Sequence, residues 1–365
     1  MTIQSSYEVQ LDHRALYTDA CSKRMLAVAA SEEGRLTIVG PAISPSIIEL
    51  PCSICSLSLH PNASLIAWTA KSDGSLHVAD FFGTQVAHIT TPQKSTASPI
   101  ASACAFSTDG DYLWHAFTLT SDQIVVQRID STTWQPTGKV ALDDPFFESH
   151  ISFGRISQSS GMSIWVAAGQ DGQQVYWAEP AAQGIVTTKQ QQLADSGPPI
   201  FSHLGNEFLA MGDEDTICRY SYPNVKLLGM SQIFDEREDF EPFLYGGHCY
   251  LNHTTAVASL AEGRLFTMDL DRMTRSSLTL TERIRIKLKR PVRTALVEEV
   301  FIAGHEPVSS KKIYPTLDDN GMLCSDLTSI ERYGDLIITT HQKYPLPPGT
   351  WNDILAFHPT WALGT

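Results

Sequence analysis

No stretch of this chain is long and apolar enough to span a bilayer as a helix, so no membrane insertion is expected. Helical periodicity is nearly absent as well, which leaves strands as the main elements. Charge is sparse, at 18% of 365 residues, and cations are the scarcer kind. There are 26 Lys and Arg against 40 Asp and Glu, a formal net charge of −14. An average field of that sign repels a polyanionic duplex and argues against general nucleic-acid binding. Enzymatic signatures are missing too. The chain has no Gly-x-Ser-x-Gly elbow, no His-Glu-x-x-His helix, no Gly-Lys-Ser/Thr phosphate loop and no Gly-x-Gly-x-x-Gly turn. Cysteines are few and odd in number: Cys21, Cys52, Cys55, Cys104, Cys218, Cys249 and Cys324. Most sit in apolar runs, as expected of reduced core thiols. The opening MTIQSSYEVQLDHR has no signal-like apolar core. A cytoplasmic protein is expected.

What the chain does have is a repeat. A small apolar run, a tight acidic or Gly turn and a short alternating strand recur six times, beginning with MLAVAASEEGRLTIV and LIAWTAKSDGSLHVADF. The turns fall at Gly34, Gly74, Asp122, Gly172, Asp215 and Gly263, spaced 40, 48, 50, 43 and 48 residues apart. That period matches one four-stranded antiparallel unit and predicts a β-propeller. In the second unit the strands are expected at 53–59, 65–70, 75–81 and 85–89, joined by His60-Pro61-Asn62 and Lys71-Ser72-Asp73-Gly74. Second strands such as LIAW are nearly all apolar, as for a strand buried on both faces. Third strands alternate, with Leu76 and Val78 against His77 and Ala79, and are expected nearer solvent. Small residues such as Ala29, Ala67, Ala167 and Ala168 allow close packing of neighbouring units.

The seventh unit is irregular. A strand is expected within 282–292, with Ile284, Ile286 and Leu288 on one face and Arg283, Arg285, Lys287 and Lys289 on the other. Further strands are expected near 322–327, 334–341 and 352–358, and residues 7–12 supply the missing outer strand. The expectation is therefore one all-β domain over 1–365: a single propeller of seven four-stranded blades, closed by an N-terminal strand. It carries an insertion around 283–310 and a Pro- and aromatic-rich segment at 341–365.

AFSTDGDYLWHAF (105–117) and SLHPNASLIAW resemble the first strand, turn and second strand of WD40-like repeats, over roughly 25–280. The resemblance is to the propeller superfamily and to no particular member. No unit ends in Trp-Asp, and Gly247-His248 and Gly304-His305 do not occupy equivalent places. The resemblance implies a non-catalytic platform that assembles other macromolecules.

Chemistry-bearing clusters are few. Cys52-x-x-Cys55 reads as core packing, since residues three apart on a strand point to opposite faces and structural zinc needs four ligands. Asp318-Asp319-Asn320-Gly321 reads as a turn, because Leu327 stands where a calcium loop needs Glu. His248 and His253 flank Cys249 and could meet a metal with Asp or Glu of other blades along the central channel. No cofactor and no metal site is expected. Two charged segments are candidate partner-binding surfaces. DEREDFE at 235–241 offers Asp235 and the apolar anchor Phe240, or is a solvated loop. The cationic strand with Arg283, Arg285, Lys287 and Lys289 offers a patch for an acidic partner, or protects an outer edge. Aromatic residues at strand ends complete the set: Phe81, Phe82, Phe146, Phe147, Tyr222, Tyr245 and Trp351. The expected function is a protein-interaction scaffold or adaptor. The alternative is a hydrolase or lactonase-type propeller with a metal in its central channel.

Overall fold

A computed structural model describes residues 2–4, 6–92, 101–120, 123–143, 150–155, 161–167, 173–182, 184–193, 196–202, 204–211, 216–234, 248–250, 252–259, 265–271, 273, 278–279, 283–287, 326–333, 335–342 and 353–359. Nearly all of these form antiparallel sheets of four strands. The first sheet holds Tyr17–Cys21, Leu26–Ala30, Arg35–Gly40 and Ile43–Glu49 in order. The second holds Ile54–Leu59, Leu65–Ala70, Leu76–Asp80 and Gln85–Ile89, within a residue of the expected bounds. The third, fourth and fifth continue in the same way from Ser102–Phe106, His150–Arg155 and Ser196–Phe201. The sixth starts at His248–Tyr250 and takes Arg283–Lys287 as its fourth strand.

Where seven four-stranded blades were expected, the last of them closed by an N-terminal strand, six are built from strands that succeed one another along the chain. The remaining sheet is a composite of both ends. It runs Asp326–Tyr333, Leu336–Gln342, Asp353–Pro359 and then Tyr7–Gln10, with Tyr7 opposite Phe357 and Gln10 opposite Ile354. Two sheets also carry a fifth strand. Thr2–Gln4 pairs in parallel with Arg283–Lys287, and Leu278–Thr279 pairs in parallel with Leu227–Phe234.

Strand alternation divides the apolar residues between two neighbours. Val28 and Ala30 pack with Ile66 and Trp68 between the first and second sheets. Ala27 and Ala29, from the same strand, pack with Ile338, Leu355 and Phe357 of the composite sheet. Ala67 turns to Phe106 and Leu113 of the third sheet, and Trp114 and Ala116 turn to Ile164 and Val166 of the fourth. Trp165 in turn faces Phe208 of the fifth. The core is thus a series of largely apolar seams between sheets, which is why the second strands read as continuous apolar runs. The expectation that third strands lie nearer solvent is corrected. Leu76, His77, Val78 and Ala79 are all buried, because the His77 and Ala79 face meets the first sheet while the Leu76 and Val78 face meets the third.

Polar links cross the same seams. His115 is fully buried; its Nε2–H donates to Gly74 O at 2.8 Å and its Nδ1 accepts from the Gln127 amide at 2.9 Å. Gly74 occupies the expected turn with φ +69°. Burial lowers the His115 pKa from its ordinary 6.5 to about 4, against the opposing pull of the Gly74 carbonyl. The folded-state value lies below the unfolded one, so the unfolded chain takes the proton first. Stability is level above pH 6.5 and falls as pH drops towards 4. The loss expected from this residue between pH 7 and 5 is about 2 kcal/mol. Urea denaturation at both pH values, on the native chain and on His115→Gln, checks it: the variant should show the shallower pH slope.

Candidate functional site

Only part of the charged surface expected from the sequence falls within the described structure. Arg283, Arg285 and Lys287 lie on the fourth strand of the sixth sheet. Lys289, Asp235, Phe240, Phe146, Phe147, Tyr245 and Trp351 lie outside the described residues. The edge-protecting role considered for the cationic strand is corrected, because its outer side is occupied. Thr2 stands opposite Arg285 and Gln4 opposite Lys287, while Leu265 faces Ile284 from the inner side. The described start of the expected insertion is likewise part of a sheet.

The strand-end aromatics separate sharply. Tyr222 was expected on the surface and is buried instead. Its ring packs against Trp177, Phe201 and Phe208, because the Tyr222-Pro223 turn folds back over the seam between the fourth and fifth sheets. Phe81 and Phe82 go opposite ways. Phe81 packs on the seam between the first and second sheets, whereas Phe82 is 92% exposed.

The turn that presents Phe82 is well determined. Asp80 closes the second sheet's outer hairpin: its Oδ1 accepts from Phe82 N at 2.8 Å and Thr84 N at 2.9 Å. The backbone adds Gly83 N to Asp80 O and Asp80 N to Thr84 O, both at 3.1 Å. The Thr84 and Phe82 amides hold the Asp80 carboxyl below the usual carboxylate range. Gly83 has φ +80°, and a Cβ there would lie 3.1 Å from Ile48 Cγ2 of the first sheet. The tip is therefore braced against its neighbour. Val86, 42% exposed, follows Phe82 on the outer strand, and Ile43 and Ile47 are exposed on the outer strand of the first sheet. Aromatic side chains are prominent among the residues that carry interface energy.

A second feature is polar. A cavity of about 240 Å³ opens where the turns of the fifth and sixth sheets meet. The Arg219 guanidinium sits at its wall, paired with Glu207 Oε2 at 2.8 Å and donating to Leu270 O at 2.7 Å. His253 and Asp271 face it from the sixth sheet. Both cationic edges of Arg219 are spent on tying one sheet to the next, so the cavity reads as part of the packing. Cys55 is likewise engaged in a seam, 3.0 Å from Ser102 Oγ of the third sheet. Among the described residues no group of three or more His, Cys, Asp or Glu is placed to hold a metal ion, and no helix is long and apolar enough to cross a membrane.

No family model and no curated protein matches the chain. Among solved structures it is similar to the β-propeller domain of Cps50 (Swd1) from Myceliophteria thermophila. The TM-score is 0.57 at 11% identity, over 95% of this chain and 99% of that one. The fold is a β-propeller. At that identity the likeness concerns architecture alone. The seams between sheets are held by apolar packing and by links such as His115 to Gly74. Sequence reasoning placed Phe82 among seven candidate aromatics; the signal that singles it out is Asp80 two residues earlier, whose carboxylate fixes the turn.

Proposed function

We propose that this propeller is a non-catalytic platform for protein–protein interaction, with the rim of its second sheet as a principal contact. The observation that carries the reading is Phe82, almost wholly in solvent on a turn fixed by Asp80. Burying such a ring contributes about 2 kcal/mol to an interface. The reading is supported by the fold, whose stacked sheets form a rigid body with many exposed turns. Arg283, Arg285, Lys287 and Lys289 are proposed as a second contact, for an acidic partner. The composite sheet is proposed as the seventh blade, which closes the ring by joining both ends of the chain.

Affinity capture of the tagged protein from its native cells, with and without substitutions, tests the platform. Phe82→Ser is expected to reduce a stoichiometric partner at least about tenfold at unchanged stability. Reversal of Arg285, Lys287 and Lys289 to Glu is expected to weaken salt-sensitive capture. Recovery unchanged in both variants removes these surfaces from the account.

A further inference from the structure

One row of side chains crosses the second sheet from its inner to its outer strand. Leu57 stands opposite Trp68, Trp68 opposite His77, and His77 opposite His88. The rings are nearly parallel. Trp68 and His77 lie 5.3 Å apart at 7°, and His77 and His88 lie 4.3 Å apart at 17°. His77 is buried with its Nδ1 unpartnered, while His88 is exposed. The row ends at His88 because the sheet ends at Gln85–Ile89. The next position in the row would belong to a fifth strand, and the ordinary spacing of strands, about 4.8 Å, is also a stacking distance.

This edge differs from the other outer edges of the propeller. Ile43–Glu49 contains Pro45 and Glu49, Pro136–Asp143 contains Pro136 and Lys139, and Gly184–Leu193 contains Lys189. Tyr7–Gln10 contains Glu8. Proline, charge, bulges and short strands are the common means of keeping foreign strands from an edge, and of these Gln85–Ile89 has only its shortness and one bulge. The fifth and sixth sheets instead have their outer strands covered in parallel by Leu278–Thr279 and Thr2–Gln4. Gln85–Ile89 has neither proline nor acid nor lysine, and no described strand covers it. A bulge at Val86 leaves Ala87–Ile89 as the regular stretch.

We propose that this edge receives an extended segment of a partner protein as a fifth strand. An aromatic residue of that segment lies beside His88 and prolongs the ring stack, while an apolar residue covers Val86 and Phe82. The occupant is an extended peptide because the same chain already places such segments on two equivalent edges. It is aromatic because the row it continues is one of stacked rings. This inference rests on the platform reading and specifies its partner.

The test is selection of a phage-displayed library of random linear peptides on the full-length protein. Enriched peptides are expected to alternate apolar and polar residues around one aromatic. The synthesised winner is expected to protect from hydrogen exchange those backbone amides of the Ala87–Ile89 stretch that do not already pair with Leu76–Asp80. Val86→Lys and Phe82→Ser, both at exposed positions, are each expected to weaken it at least about tenfold. His88→Ala is expected to abolish the preference for an aromatic. Failure to enrich any peptide, protection confined to another surface, or affinity unchanged in Val86→Lys overturns the edge assignment. Native partners that stay bound to Val86→Lys would overturn it while leaving the platform reading intact; absence of any native partner defeats the platform reading itself.

Discussion

Deletion of residues 2–10 is expected to cost at least about 4 kcal/mol and to leave the protein prone to aggregate. Those residues provide Tyr7–Gln10, the outer strand of the composite sheet, and Thr2–Gln4, the cover of the sixth. Tyr7 packs edge-on against Phe357 with centroids 5.3 Å apart, and Ser6 N donates to Phe357 O at 2.8 Å. Behind them the chain is latched through Asp353. Leu11 N donates to Asp353 O at 2.7 Å, and Ala15 N donates to Asp353 Oδ2 at 2.8 Å. Removing the strands uncovers two hydrogen-bonding edges at once. Urea denaturation with light scattering is the measurement. A deletion variant that unfolds at the native midpoint without aggregating would show that these two strands do not stabilise the sheets they join.

Asp19→Ala is the second large effect, expected at about 3 kcal/mol. Asp19 lies on the innermost strand of the first sheet and is 5% exposed. Its Oδ2 accepts from Leu59 N at 2.7 Å and Ser58 Oγ at 3.4 Å, and its Oδ1 accepts from Ala20 N at 2.8 Å. Ser58 Oγ in turn accepts from Phe106 N at 3.1 Å. One carboxylate thus anchors a line of hydrogen bonds through the inner strands of three sheets. Alanine strands the Leu59 amide in a buried seam, whereas Asp19→Asn keeps an acceptor there and should recover part of the loss. A loss below about 0.5 kcal/mol for alanine would mean the seam is held by packing alone.

The architecture was legible because turn chemistry and apolar patterning agree. Asp73-Gly74 and His60-Pro61-Asn62 punctuate the second sheet so clearly that Leu65–Ala70 and Gln85–Ile89 could be bounded from the sequence. The outer strand near residue 7 was legible for a different reason, the shortage of one strand at the far end of the chain. Other features gave no signal. Thr2–Gln4 and Leu278–Thr279 are too short to show any period, and their parallel pairing needs no turn. His77 reads as a solvent-side residue because alternation does not distinguish water from a neighbouring sheet. Phe81 and Phe82 are interchangeable as letters. The turn in which Phe81 enters the seam and Phe82 is displayed is fixed by the hydrogen bonds that Phe82 N and Thr84 N donate to Asp80.

The platform reading makes one requirement that a single mass can meet or fail. The tagged protein should be isolated gently from its own cells and its particle mass measured by light scattering during size exclusion. A particle well above the 40.2 kDa of the chain is expected, containing another protein at fixed ratio that is lost in Phe82→Ser. A lone chain of 40.2 kDa, unchanged by Phe82→Ser, would contradict it.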